Sequence, residues 1–330
     1  MLAPYSTTEI KISVVIPLYN KARHIAHTLR SVLQQASPAA EILVVDDGST
    51  DAGAEIVRGF LDQGVRLIQQ PNQGVSAARN RGLQEASYPY VAFLDADDEW
   101  LPEHLSTLQT LITEFPQAAL WSTFCLIRQH GNYYLPPSGL PYGWRGMVER
   151  FFEAHAQGLS IVNSSTACVC KEALLSVGGF PVGVKLNEDY IAWWHLGYQY
   201  PVAHAAIVTV IYNQDAENRC SKLPQAALPA SLPFLVELLH SQQTPYHHRR
   251  GIKACFRRIA IATLINTKIN AETLDTKTLL RLTWRSGCYE LLLILVVLYL
   301  CPRSFLGFLK HRRHRQQRQQ AKERAKDLLG

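Results

Sequence analysis

Short aliphatic runs alternate with stretches of helical spacing through the first 123 residues. Residues 12–16 form a β-branched run, and residues 22–35 carry apolar side chains at Ile25, Leu29, Val32 and Leu33, a helical face. The next aliphatic run is 41–45, followed by a helix with Ser49 or Asp51 as its cap. A third strand is expected at 65–69, then an Ala-rich helix over 75–86, a fourth strand at 90–94, a helix between Pro102 and Pro116, and a fifth strand at 118–127. Strands alternating with helices of this length predict an α/β fold with a doubly wound, mostly parallel sheet.

After Arg128 the rhythm breaks. Residues 131–146 are rich in Gly, Pro and Tyr and read as a long loop, the kind of segment that often carries function. A strand at 165–170, a helix at 187–197 and a strand at 203–212 follow, and from about Ala227 the pattern is helical, through 232–240 and 251–269. Residues 291–301 are eleven consecutive apolar residues, closed by Pro302 and Arg303. A spanning helix needs about 20 such residues. A surface or re-entrant membrane insertion, a short span, and a core or dimer helix all stay open for this run.

The net charge of +6 is a property of the tail. Residues 303–330 hold nine Lys or Arg against Glu323 and Asp327, so taking the tail's +7 from +6 leaves −1 for residues 1–302. A body that is nearly neutral argues against nucleic acid as a partner. Apolar residues beside a basic cluster instead suit an anionic membrane face. The seven cysteines are scattered without a Cys-x-x-Cys pair, which fits reduced thiols and speaks against zinc. The first eleven residues lack the apolar segment of a secretory signal, so a cytoplasmic site is expected.

Candidate chemistry lies at the strand ends, where open α/β sheets bind ligands. Val-Val-Asp-Asp-Gly-Ser-Thr (44–50) ends the second strand, and Phe-Leu-Asp-Ala-Asp-Asp (93–98) ends the fourth. Asp95 and Asp97 could hold Mg²⁺ or Mn²⁺ with a diphosphate, which needs only one or two carboxylates plus phosphate oxygens. The plainer reading makes Asp97 or Asp98 a helix cap, and Asp46-Asp47-Gly48 an ordinary turn. Tyr19, after Pro17, offers a ring to a flat base. Gly74 opens a helix whose N-terminus attracts phosphate, with Arg79 about a turn further in.

Five blocks in order closely resemble the family-2 glycosyltransferases, which have a GT-A fold. They are Val-Val-Ile-Pro-Leu-Tyr-Asn (14–20), Val-Val-Asp-Asp-Gly-Ser-Thr-Asp (44–51), Asn-Gln-Gly-Val-Ser-Ala-Ala-Arg-Asn (72–80), Phe-Leu-Asp-Ala-Asp-Asp (93–98) and Glu188-Asp189. The resemblance implies that Pro17, Tyr19, Asp46 and Arg79 line a nucleotide site. It makes Asp95 and Asp97 the metal-binding DxD, with Asp97 the more direct ligand, and Asp189 the catalytic base. Asn20, Asp47, Gly74 and Ala96, inside the same blocks, complete the donor-site candidates, and Glu188, Trp193 and His195 are placed on the acceptor side. His195 stands where the family often carries Arg, and the Gln-x-x-Arg-Trp signature of processive synthases is absent.

The expectation is therefore a Mn²⁺- or Mg²⁺-dependent inverting transferase. It moves one sugar from a nucleotide donor, UDP-linked by preference, to a glycan or lipid-linked acceptor at the inner face of the cell membrane. Residues 1–225 are expected to form the transferase domain (donor half 1–125, acceptor half 126–225), 226–285 a helical extension, and 286–330 an apolar helix and basic tail able to meet a membrane or a second copy. The rivals are a phosphoryl-transfer enzyme, disfavoured because Asp46-Asp47-Gly48 lacks an Asp-x-Asp-Gly spacing, and a non-catalytic nucleotide-sugar or glycan-binding module at the membrane.

Overall fold

A computed structural model describes residues 9–157, 161–184, 186–217, 228–270, 274–308, 310 and 312. The elements that position the acidic strand ends come first: β1 (Ile12–Leu18), α1 (Ile25–Leu33), β2 (Glu41–Asp46), α2 (Gly53–Arg58), β3 (Val65–Gln69), α3 (Val75–Glu85), β4 (Tyr90–Phe93), β5 (Glu99–Trp100) and α4 (His104–Glu114). They are followed by β6 (Leu120–Gln129), β7 (Asn132–Tyr134), β8 (Arg145–Met147), α5 (Phe151–Gln157), β9 (Ala167–Cys170), α6 (Lys171–Ser176), α7 (Glu188–Gln199) and β10 (Val202–Asn213). The C-terminal helices are α8 (Ser231–His240), α9 (Tyr246–Ile269), α10 (Thr276–Arg285) and α11 (Tyr289–Leu300).

One sheet runs β3-β2-β1-β4-β9-β6-β10-β5, with β7 added at β6 and β8 at β10. The first four strands are mutually parallel, as is β6 with β10. β1 sits between β2 and β4, so the winding reverses there and leaves a crevice at the carboxyl end of β1. The α/β, doubly wound and mostly parallel architecture is as the alternation implied, with β9 entering antiparallel between β4 and β6. β5, β7 and β8, each two or three residues long, and the short helices α5 and α6 were not anticipated. Elements that short complete too little of a period to register in sequence.

Strands β1, β2 and β4 are buried on both faces. In β1, Ile12, Val14 and Ile16 join α1, α2 and α4 in one cluster. Val15 faces the opposite way, with Leu43 of β2 and Phe93 of β4, toward α3, α5 and α7. Helices α8 to α11 add to this second cluster through Leu235, Phe256, Leu282 and Leu291, so the helical extension shares a core with the sheet's own layer. Close approach is bought by small residues: a Cβ on Gly82 of α3 would lie 2.3 Å from Val15 Cγ1, and one on Gly251 of α9 2.6 Å from Phe152 Cβ.

The described helices include none long and apolar enough to cross a membrane.

Three buried histidines make the fold acid-sensitive. Burial lowers the pKa of His104, His155 and His204 from 6.5 to about 3, with Arg258 adding to the effect at His155. All three are neutral in the fold, whereas the unfolded chain takes up protons on them below pH 6.5. Unfolding therefore binds protons, and stability should fall steadily as pH drops from 6.5 toward 3. Urea midpoints measured across that window should decline. The raised carboxyls of Asp98 and Asp189 act the other way, so the test is a folded His104→Gln variant, whose decline should be shallower than the wild type's; an equal slope contradicts the burial of that ring.

Candidate active site

The crevice gathers the ends of β1, β2 and β4. Tyr19 and Asn20 leave β1, with Tyr19 46% exposed and Asn20 in the left-handed region at φ 51°. That conformation lets Asn20 Oδ1 accept the backbone N–H of Thr50 at 2.8 Å, while Ser49 Oγ accepts from the Asn20 N–H at 3.1 Å. The first and second blocks are thus tied edge to edge, and Pro17 pairs with Val45 inside the parallel ladder.

The two aspartates of the second block have different tasks. Asp46 is buried, accepting the Ser49 N–H at 3.0 Å and Gln69 Nε2 at 3.1 Å. Each carboxylate oxygen has a second lone pair, so a base N–H could still be read there. Asp47 is committed: its Oδ1 accepts Gln70 Nε2 at 2.8 Å and the Gln73 N–H at 2.9 Å, and its Oδ2 accepts the Gly74 N–H at 2.8 Å. It holds the loop that opens α3. Gly74 needs its φ of 90° to make that turn, and Gly48, at φ 74°, passes so near that a Cβ would lie 2.9 Å from the Asn72 nitrogen.

Arg79 is the centre of the site. Buried on α3, it donates to Asp95 Oδ1 at 2.7 Å and to Glu188 Oε1 at 3.0 Å, with its guanidinium 5.3 Å from the Phe180 ring centroid. Burial alone would lower its pKa. The surrounding Asp95, Glu188 and Asp189 outweigh that and raise it, so the charge is permanent. Glu188 and Asp189 open α7 after Asn187, another residue in the left-handed region, at φ 60°. Burial first, then the charge of Glu188, push the Asp189 carboxyl from 3.8 up to about 7, against the pull of Arg79.

The turn carrying Asp95, Ala96 and Asp97 is braced from behind. Thr28 Oγ1 donates to the carbonyls of Ala96 and Asp98, at 3.0 and 2.8 Å. Asp98 is interior, accepting Ser165 Oγ and, at 2.8 Å, the Asn213 N–H. Burial, and then the charges of Asp97 and Asp95, hold its carboxyl well above the usual range. Asp95 keeps 30% of its side chain exposed and Asp97 14%. Lys21 Nζ donates to Asp97 Oδ2 and to the Glu217 carbonyl, both at 2.7 Å.

Among the described residues, no three His, Cys, Asp or Glu side chains converge to hold a metal by themselves. Asp95 and Asp97 nonetheless suit Mg²⁺ or Mn²⁺, which takes one or two hard carboxylates and completes its shell from phosphate and water. One oxygen of Asp97 is already paired with the Lys21 ammonium.

On the acceptor side the outcome divides. Glu188 is bonded to Arg79, which ties it to Asp95. Trp193 is wholly buried between Phe93 and Phe180, which leaves it no surface to offer an acceptor. His195 is partly exposed, its ring 4.6 Å from that of Phe234, and burial lowers its pKa. Beside the first turn of α7 lies a cavity of ≈ 210 Å³, lined by Asn187, Tyr190 and Trp194 of that region and by Cys255, Arg258 and Asn266 of α9. Neither this cavity nor Lys21 figured in the reading of the blocks. Lys21 stands just after Tyr-Asn at a strand end, which is a usable signal, whereas α9 is too far along the chain to suggest the cavity.

Comparison with known proteins is consistent with this geometry. Residues 13–171 match the model of glycosyl transferase family 2. The uncharacterized glycosyltransferase YibD of Escherichia coli K12 is 44% identical over 106 residues, 32% of this chain and 31% of the relative. TuaG of Bacillus subtilis 168, a putative teichuronic acid biosynthesis glycosyltransferase, is 35% identical over 124 residues, 37% and 49%. These alignments cover less than half the length of either relative. Among solved structures, S. aureus TarS 1–349 in complex with UDP-GlcNAc superposes with a TM-score of 0.68 at 20% identity, covering 82% of this chain and 78% of that one. At that identity the likeness establishes the fold, which is GT-A.

The Asp47 network can be tested directly. Asp47→Ala removes three hydrogen bonds made to a charged acceptor, two of them from the backbone of the loop before α3. It should cost on the order of 3 kcal/mol in chemical denaturation and speed amide exchange at Gln73 and Gly74. Unchanged exchange there would mean that the loop does not depend on this carboxylate.

Proposed function

We propose that this chain, whose residues 13–171 match the model of glycosyl transferase family 2, is a metal-dependent inverting glycosyltransferase. It moves a single sugar from a nucleotide donor, UDP-linked by preference, to a hydroxyl of a glycan or lipid-linked acceptor at the cytoplasmic membrane face. The observation that carries this reading is the double hydrogen bond of Arg79. It joins Asp95 to Glu188, 109 residues further along than Arg79, and so ties the turn after β4 to the start of α7, where this reading puts the diphosphate and the base.

In this reading Tyr19 stacks on the base and Asp46 accepts a hydrogen bond from the base or ribose. Asp95 and Asp97 face the diphosphate and hold Mn²⁺ or Mg²⁺, and bound there the ion supplies Lewis-acid neutralisation of the charge on the departing nucleotide. Lys21, beside Asp97, adds a second positive charge on the same side. The cavity next to α7 takes the acceptor, with Arg258 as its guanidinium. Asp189 accepts the proton of the acceptor hydroxyl as its oxygen bonds the anomeric carbon and the bond to the β-phosphate oxygen breaks. One displacement, with no protein nucleophile, inverts the anomeric configuration.

A carboxyl held near 7 suits a general base at neutral pH, where it is partly ionised and still basic enough to accept a proton. Since only ionised Asp189 accepts the proton, kcat/KM should fall as pH drops below about 7. Asp189→Asn should lower turnover by about two to four orders of magnitude with nucleotide affinity little changed. Normal turnover by the variant, or retention of configuration in the product, would sink the mechanism.

Asp97→Ala should abolish Mn²⁺-dependent nucleotide binding in a folded protein, read by calorimetric titration of UDP with and without the ion. Equal affinity in the variant removes Asp97 from the metal site. Nucleotide release from a panel of sugar donors would test the reading as a whole, and release from none of them would favour a binding module.

A further inference from the structure

From Leu291 onward helix α11 is apolar on every side, yet the fold uses only one stripe of it. Leu291 and Leu295 are buried against the body of the protein, α9 included, and Leu298 partly so. Leu293 and Leu300 are 71% and 74% exposed, and Ile294, Val296 and Val297 are exposed with them. The patch continues at both ends of the helix. Trp284 and Tyr289, with ring centroids 5.0 Å apart, lie exposed before it, and Phe305 and Phe308, in the helical stretch 303–308, lie exposed after it. Scattered exposed apolar residues are ordinary, but a continuous run of this size marks a surface that is covered in use.

Charge decides what covers it. From Thr276 to Arg312 the chain carries six basic residues, Lys277, Arg281, Arg285, Arg303, Lys310 and Arg312, against the single acid Glu290. That acid is already paired with Arg257. Arg281, Arg285, Arg303 and Arg312 are exposed. Pressing two copies of such a face together would oppose like charges, whereas an anionic surface is complementary to it. Length decides how deep it goes: twelve residues at 1.5 Å per residue give about 18 Å, against about 30 Å of hydrocarbon. Tryptophan and tyrosine beside the patch suit the boundary between headgroups and acyl chains.

We infer that the outer face of α11, with the helical stretch 303–308, docks in the plane of an anionic phospholipid bilayer, its exposed leucines and phenylalanines among the acyl chains and its arginines at the headgroups. The inference draws on the proposed function only for its purpose, which is to hold the acceptor cavity on α9 close to a lipid-linked substrate. The test reads lipid binding and not sugar transfer, so the two can fail separately.

Full-length protein would be sedimented with phosphatidylcholine vesicles and with vesicles in which a quarter of the lipid is phosphatidylglycerol. Binding is expected to the anionic vesicles, weaker in high salt, and much less to the neutral ones. Neutralising Arg281, Arg285 and Arg303 to Gln should weaken binding by about fivefold per charge. L293E/V297E/L300E alters only exposed positions, so it should keep its circular dichroism spectrum and lose the apolar part of the binding. Wild-type protein that ignores anionic vesicles overturns the inference, as does undiminished binding by a folded triple variant. A wild-type dimer that the triple variant dissociates, with no lipid binding by either, would overturn it in favour of a second copy.

Discussion

Asp95, Glu188 and Asp189 are gathered at one end of the sheet, where low dielectric makes like charges repel far more strongly than in water. The arrangement persists because Arg79 is buried among them. Removing a guanidinium from water costs several kcal/mol, which is recovered only when its partners are ionised and well placed. Two of them are hydrogen-bonded to it and a third lies within its field. The same charge limits how far Asp189 is pushed up, so the ionisation of the candidate base is set by a residue on a different helix. Removing Arg79 would leave a buried acidic cluster without compensation, and both the turn after β4 and the start of α7 would lose their shared anchor.

That anchor is itself held by packing. α3 lies close enough to β1 to deliver Arg79 only because position 82 lacks a side chain, since any Cβ would strike Val15. Asn80, one residue after Arg79, accepts the Phe180 N–H and donates to the Phe180 carbonyl, at 2.8 and 2.7 Å, fixing the ring that lies against the guanidinium. The block from Asn72 to Asn80 therefore combines three tasks: the loop that Asp47 ties down, the arginine, and the clamp on Phe180.

What the chain discloses by itself follows the range of each interaction. The strands from Ile12 to Phe93 were visible because each is a local aliphatic run, and Asp46, Asp95 and Asp97 because they end such runs. Other assignments depended on partners distant in sequence. Asp47 looks like a turn residue beside Asp46 until the loop at 70–74 folds onto it. Trp193, next to the acidic pair, suggested an acceptor contact, but the helical turn carries it into the core against Phe93 and Phe180. β9 pairs antiparallel with strands on both sides, a choice that no short pattern encodes.

Helix α9 connects the two ends of the molecule. Its side toward α5 and α7 places Cys255, Arg258 and Asn266 along the cavity beside the first turn of α7. Elsewhere on the same helix Lys268 donates to the Leu298 carbonyl at 3.1 Å, and Asn266 Oδ1 accepts Lys310 Nζ at 2.8 Å. Asn266 therefore lines the cavity and also contacts the segment carrying the exposed apolar face. If the acceptor is lipid-linked, as proposed, its head must reach this cavity while its tail stays at an apolar surface. A GT-A sheet has no such surface of its own, because both its faces are already buried by helices. The C-terminal helices supply one, and their shared core with α5 and α7 makes the distance between the two compartments a fixed property of the fold.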